Sequence, residues 1–122
     1  EDYPNIKFFG YIRNTSYKKY LNRCFAFLCA EDFACCPNAL IEAQFNGKPI
    51  IGPYNGSLPE MCPKPSYQLI KNNDAIKLNI ENLLDEYCKN YNFWSNKSKE
   101  FSLNKFGIKQ YEDYYSLFRK PI

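Results

Sequence analysis

Two short apolar runs on either side of one helical pattern limit the folds open to this chain more than any other feature. Residues 25–30 and residues 49–51 are each short enough to be buried strands. Gly47 lies before the second run, where a helix commonly stops. The apolar positions between the runs follow helical spacing: Leu40, Ile41, Ala43 and Phe45. This order predicts a strand–helix–strand unit with parallel strands.

The pattern continues in both directions along the chain. Residues 6–9 are predicted to form an earlier strand, and residues 14–16 offer capping side chains to a helix. The apolar positions of that helix are Tyr17, Tyr20, Leu21 and Cys24. Residues 67–70 are predicted as a fourth strand, and Asp74 as the cap of the next helix. Residues 89–122 should hold two aromatic helices, the second capped by Ser102.

These elements predict one α/β domain spanning residues 1–122, with a Rossmann-like open parallel sheet flanked by helices. Ligands of such sheets bind beyond the carboxyl ends of the strands. In this chain those ends are residues 10–14, 31–38 and 52–60.

Three features of these segments suit a nucleotide ligand. The backbone N–H groups of Asn38, Ala39 and Leu40 open a helix and have no intrahelical partner, so they suit a phosphate. Glu42 lies about one turn further on, where its carboxylate could accept hydrogen bonds from a vicinal diol such as a ribose. Gly56 would let the backbone approach a ligand closely. The alternatives are a surface glutamate and an ordinary surface turn.

Charge and hydropathy exclude several classes of partner. The net charge of +3 is scattered along all 122 residues, with no basic stripe for nucleic acid. A weak attraction to anionic membrane surfaces is the most that this charge supports. No stretch reaches the roughly 20 apolar residues of a membrane-spanning helix. We expect a soluble, cytoplasmic domain, located at most at the cytosolic face of a membrane.

Six cysteines could in principle make disulfides or a metal site. The chain has no histidine and no C-x-x-C pair, and Cys24 and Cys29 flank an apolar run in which cysteine acts as a small hydrophobe. We therefore expect free thiols in a reducing compartment, without disulfides or bound metal.

Four motifs in order resemble the C-terminal domain of retaining glycosyltransferases with the GT-B fold, in the large family called GT4. Residues 4–12 (P-N-I-K-F-F-G-Y-I) look like the family's N-V-x-F-x-G-x-V strand, and residues 37–43 (P-N-A-L-I-E-A) are similar to its P-N-x-L-x-E-A helix. Residues 47–51 (G-K-P-I-I) match G-x-P-V-I, and residues 55–60 (N-G-S-L-P-E) resemble the G-G-x-P-E loop. The resemblance covers nearly the whole chain.

The resemblance implies a nucleotide-diphosphate sugar as the donor and transfer with retention of configuration. It assigns Glu42 to the donor ribose. It assigns the backbone of residues 36–40, which includes Asn38, Ala39 and Leu40, to the phosphates. It assigns residues 10–13, with Tyr11 and Arg13, to the base. No cofactor or metal is implied, because helix dipoles and basic side chains stabilise the leaving diphosphate.

The chain departs from the family at one position of the site. The first acidic residue of the family stands eight positions before the helix glutamate, where this chain has Ala34. Either Glu31 or Asp32 then contacts the donor sugar through a longer loop, or the contact is lost. The N-terminal acceptor domain and the first part of the donor domain would belong to a longer protein.

Two other functions fit parts of the sequence. A non-catalytic binding or scaffolding domain of the same fold would explain Ala34. A phosphate-responsive receiver or flavodoxin-like carrier is less consistent, because the chain lacks the receiver's arrangement of acidic residues and a glycine- or hydroxyl-rich loop for a flavin phosphate.

Overall fold

The computed structural model describes residues 3–29, 38–54, 56–63 and 76–107. This part of the chain is mostly helical and includes a two-stranded parallel sheet. In chain order its elements are α1 (Asn14–Arg23), β1 (Phe27–Leu28), α2 (Asn38–Phe45), β2 (Ile50–Ile51), α3 (Leu58–Met61), α4 (Ile76–Lys89) and α5 (Tyr91–Phe106).

The two strands confirm the predicted strand–helix–strand order at residues 25–51. Phe27 pairs with Ile50 and Leu28 with Ile51, in parallel, and α2 lies between the strands in sequence. Two backbone bonds extend the ladder, from Phe27 N to Pro49 O at 2.9 Å and from Cys29 N to Ile51 O at 2.8 Å. The observed strands are shorter than the predicted ones, so the α/β character of the described part is small.

The prediction of a strand at residues 6–9 is wrong. This segment is irregular, Phe8 is exposed, and the N–H of Ile6 bonds locally to the carbonyl of Tyr3 at 2.9 Å. An apolar run becomes a strand only when a neighbouring strand accepts its backbone hydrogen bonds, and no strand among the described residues does so here. The predicted strand at residues 67–70 and the cap at Asp74 lie outside the described residues.

Helix α1 confirms the predicted helical pattern but not its cap. The N-cap position is Arg13, and it makes no side-chain capping bond. Residues 14–16 lie inside the first turn instead of ahead of it.

The strand β2 divides the described core into two clusters because successive side chains of a strand point to opposite faces. Ile50 packs with side chains of α1, α2 and α3 in a cluster that also contains Leu21, Leu40, Ala43, Leu58, Met61 and Cys62. Ile51 packs with side chains of α4 and α5: Leu83, Tyr87 and Trp94. One face of β1 is less covered than predicted, since Leu28 is 62 % exposed.

A buried tyrosine joins α4 to the sheet. The hydroxyl of Tyr87 donates to the backbone carbonyl of Ile50 at 2.5 Å, and its ring packs edge-on against Trp94. Burial raises the pKa of Tyr87 above its usual range, the nearby Cys62 thiol adds to the rise, and the bond to Ile50 opposes it. The neutral hydroxyl is therefore the form that the fold stabilises.

The turn after α2 approaches α5 closely. Gly47 has a φ of +70°, and a β-carbon placed there would lie 2.7 Å from the Ser95 hydroxyl oxygen. Both facts favour glycine, which the sequence predicted as the helix stop. The side chain of Lys48 then donates to the backbone carbonyl of Asn22, at the end of α1, at 3.0 Å.

Two predicted boundaries need correction. Ser102 does not cap a second C-terminal helix, because α5 continues through it to Phe106. Its hydroxyl is buried and donates back to the carbonyl of Lys99 at 2.9 Å, a common alternative for a serine inside a helix. Residues 52–60, expected to be a surface turn, contain the start of α3, whose Leu58 and Met61 are buried.

Candidate functional site

A groove of about 280 Å³ lies between α1 and α2. Helix α1 contributes Asn14, Tyr17, Lys18 and Leu21, which share one face because they are spaced i, i+3, i+4 and i+7. Helix α2 and the residue after it contribute Glu42, Phe45 and Asn46, spaced i, i+3 and i+4. The groove therefore depends on how these two helices pack.

The lining combines apolar carbon with a few polar groups. Leu21 is buried and Phe45 is half-buried, whereas Asn14, Lys18 and Asn46 are exposed. Small-molecule sites usually have this mixture, and their volumes run from about 300 to 1,000 Å³. At about 280 Å³ the groove lies just below this range, which suits part of a ligand such as a nucleoside.

Glu42 is the predicted site residue that lines this groove. Its side chain is exposed, and its backbone carbonyl accepts a bond from the Asn46 side-chain amide at 2.8 Å. A carboxylate has two oxygens and only accepts hydrogen bonds, so it suits two neighbouring hydroxyl groups. Its position is consistent with the predicted diol contact.

Tyr17 is the residue of this groove whose chemistry the sequence analysis missed. Its hydroxyl oxygen is buried and makes no well-aligned hydrogen bond with any described residue. Burial raises the pKa of Tyr17, and the negative charge of Glu42, the thiol of Cys24 and a hydrogen-bonding interaction with Glu42 that is not well aligned raise it further. The sequence pattern counted Tyr17 as an apolar helix position, which accounts for its ring but not for its hydroxyl.

The predicted phosphate residues lie at the first turn of α2. Asn38 and Ala39 are exposed, whereas the side chain of Leu40 is fully buried in the core. Leu40 can therefore reach a ligand through its backbone only, as expected for the N–H groups of a helix start. None of these three lines the groove between α1 and α2.

The predicted base residues flank the groove without lining it. Tyr11 is 97 % exposed, and Arg13 is exposed at the N-cap of α1. Asn14, the next residue in the chain, does line the groove. The segment 10–13 therefore leads into one wall of the groove.

The predicted glycine loop rests against the helices. Gly56 has a φ of +53°, which favours glycine, and it precedes α3. The Gln44 side-chain amide donates to the Met61 carbonyl at 2.8 Å, and the Lys105 ammonium donates to the Glu60 carbonyl. These two contacts fix α3 against α2 and α5.

Part of the predicted site lies outside the described residues. This part comprises Glu31 and Asp32, which were predicted to contact the sugar, and Ala34. In the described ranges, no group of three or more His, Cys, Asp or Glu side chains is arranged to hold a metal ion. The described cysteines, Cys24, Cys29, Cys62 and Cys88, are free thiols. No helix that the structure describes is long and apolar enough to cross a membrane.

Comparisons with known proteins add no family to this description. No protein-family model, no curated protein and no solved structure matches the chain.

Proposed function

We propose that this chain binds a nucleotide-diphosphate sugar and is the donor-binding part of a retaining glycosyltransferase. The observation that carries the proposal is the groove between α1 and α2. Glu42 and Asn14 line the same groove although 27 residues separate them, and Asn14 directly follows segment 10–13. The residue expected to bind ribose is thereby close to the segment expected to bind the base.

The chemistry of the groove agrees with a nucleoside. The carboxylate of Glu42 can accept hydrogen bonds from the 2′- and 3′-hydroxyl groups of a ribose, and such charge-assisted bonds are stronger than neutral ones. Leu21 and Phe45 supply apolar surface beside these polar groups. The order β1–α2–β2, with parallel strands, supports a Rossmann-like sheet in the complete domain.

The family resemblance implies contacts for the remaining parts of the donor. The first turn of α2 would hold the diphosphate through the N–H groups of Asn38, Ala39 and Leu40. Glu31 or Asp32 would contact the transferred sugar, as the family resemblance implies. Transfer to an acceptor would require an N-terminal domain, and the complete enzyme would work in the cytoplasm or at the cytosolic face of a membrane.

A non-catalytic binding domain of the same fold is the second candidate. Ala34, at the position of the family's first acidic residue, favours it. Both candidates bind the nucleotide, but only the transferase, in its longer form, consumes the donor. Release of nucleoside diphosphate from a panel of nucleotide sugars by the longer protein distinguishes them.

The binding proposal is tested by NMR titration of the chain with nucleoside diphosphates and their sugars. We expect amide shifts at residues 10–14 and 38–46. Changing Glu42→Ala should weaken binding about 5- to 150-fold, which corresponds to about 1 to 3 kcal/mol for lost charge-assisted bonds. The matched control is Glu81→Ala, an exposed glutamate on α4 that does not line the groove.

Two results would count against the proposal. Equal affinity of the Glu42→Ala and wild-type proteins would remove the ribose assignment. Shifts confined to another surface, or no shifts at millimolar nucleotide, would remove the donor-binding function of this chain.

A further inference from the structure

The hydroxyl of Tyr17 needs an explanation that packing does not provide. It is buried beside the groove and makes no well-aligned hydrogen bond to the described residues. Burying a hydroxyl without a partner is unfavourable, whereas phenylalanine would keep the ring contacts without that cost. A buried polar atom of this kind beside a cavity is suited to a bound state in which a neighbouring side chain is held in place as its partner.

Glu42 is the charged group best placed to be that partner. It lines the same groove, and its negative charge contributes to the electrostatic environment of the Tyr17 hydroxyl. The tyrosine hydroxyl can donate a hydrogen bond, and the carboxylate can only accept one. The two side chains are close enough that a hydrogen-bonding interaction with Glu42 contributes to the raised pKa of Tyr17.

We propose that Tyr17 is a positioning residue that orients the Glu42 carboxylate toward a ribose and so selects ribonucleotides over 2′-deoxyribonucleotides. The inference rests on the proposed nucleotide-binding function. With one carboxylate oxygen held by Tyr17, both oxygens face the 2′- and 3′-hydroxyl groups. A 2′-deoxyribose leaves one of these acceptor positions unfilled, and a site built to bind a hydroxyl discriminates against a ligand that lacks it.

The test compares the affinities of a ribonucleoside diphosphate and its 2′-deoxy analogue for the wild-type and Tyr17→Phe proteins. For the wild type we expect the ribonucleotide to bind at least about tenfold more tightly. In Tyr17→Phe that preference should fall about fivefold or more, mainly because the ribonucleotide binds less tightly. The melting temperature should stay the same or rise, because the removed hydroxyl has no aligned partner in the free protein, and this separates positioning from a general structural role.

Two controls show whether Tyr17 acts through Glu42. Tyr20→Phe changes a more exposed tyrosine of the same helix and should leave the preference unaltered. In a Glu42→Gln background, Tyr17→Phe should have a much smaller effect than in the wild type, because the carboxylate that Tyr17 orients is absent.

Each other outcome overturns a defined part of the inference. If the wild type prefers the ribonucleotide and Tyr17→Phe keeps the same preference, the role of Tyr17 is wrong and the proposed function stands. If Tyr17→Phe has an equal effect with and without the Glu42 carboxylate, Tyr17 does not act by orienting it. If no nucleotide binds the wild type, both the inference and the proposed function fail.

Discussion

Two tyrosine hydroxyls, one between α4 and the sheet and one beside the groove, have opposite hydrogen-bonding situations. Tyr87 is fully buried and donates to the carbonyl of Ile50 at 2.5 Å. The Tyr17 hydroxyl is also buried but makes no well-aligned bond to a described residue. Because a buried hydroxyl usually has a partner, the first is explained by stability and the second requires a different reason.

The polar groups around the two tyrosines also differ in their hydrogen bonding and exposure. Around Tyr87, polar groups connect elements of the fold: the Glu86 carboxylate accepts bonds from the Asn90 amide and the Trp94 indole N–H. Along the groove, Asn14, Lys18 and Glu42 are exposed to solvent. Stability should therefore depend on the packed core, and the proposed ligand binding should depend on the groove.

The largest expected effect comes from truncating a side chain in the packed core. Leu40 is 0 % exposed and belongs to the cluster that joins α1, α2 and α3 to the sheet. Changing Leu40→Ala leaves a cavity, and we expect the free energy of unfolding to fall by about 2 to 5 kcal/mol. Chemical denaturation followed by circular dichroism measures the change.

The matched control for that deletion is Leu103→Ala on α5. Leu103 is 53 % exposed, so the same change should alter stability by no more than about 0.5 kcal/mol. A similar loss in both proteins would show that Leu40 does not lie in a cooperative core.

The local elements of this core could be predicted from the sequence because their signals are local. Helical spacing in α2, the stop at Gly47 and the apolar run of β2 each depend on a few neighbouring residues, and each is confirmed. The strand expected at residues 6–9 depends on a partner strand, which its own apolar residues cannot supply. Ser102 could serve as either a cap or a helix-interior residue, and its bond to Lys99 selects the second.

The groove was less predictable than the helices that form it. Glu42 was predicted to contact the ribose because the family resemblance assigns that role to it, whereas its spacing alone left a surface glutamate as the alternative. Asn14, Lys18 and Asn46 gave no signal of their own, since their role follows only from the packing of α1 against α2. Tyr17 was classed by its apolar ring, and only the structure shows that its hydroxyl is buried without an aligned partner.

Removing each hydroxyl in turn tests whether the two tyrosines contribute differently to stability. Tyr87→Phe leaves the buried Ile50 carbonyl without this donor, and we expect it to lower the free energy of unfolding by about 1 to 3 kcal/mol. Tyr17→Phe removes a buried hydroxyl with no aligned partner, so the free energy of unfolding should stay the same or rise. Thermal or urea unfolding of both proteins gives the two values, and an equal loss would refute the distinction.

The smallest expected effect is a loss of stability at alkaline pH. It should come from a buried thiol of the packed core. Burial, and secondarily the nearby Cys29 thiol, raises the pKa of Cys62 from 9.0 to about 12. Between these values the unfolded chain releases a proton that the folded chain retains, so stability falls as pH rises. Below pH 9 this contribution is complete. Above it, Cys62 should lower the free energy of unfolding by about 1.4 kcal/mol per pH unit.

Urea unfolding between pH 8 and pH 10 measures this slope below the range in which the buried Tyr87 contributes a slope of its own, and two variants assign it. Cys62→Ala should flatten the slope even though it lowers stability at neutral pH, because the group that titrates differently in the two states is gone. Cys88→Ala removes an exposed thiol and should leave the slope as in the wild type. If the Cys88 variant flattened the slope as much as the Cys62 variant, the alkaline loss could not be assigned to the buried thiol, and the contrast between the packed core and the exposed surface would lose this support.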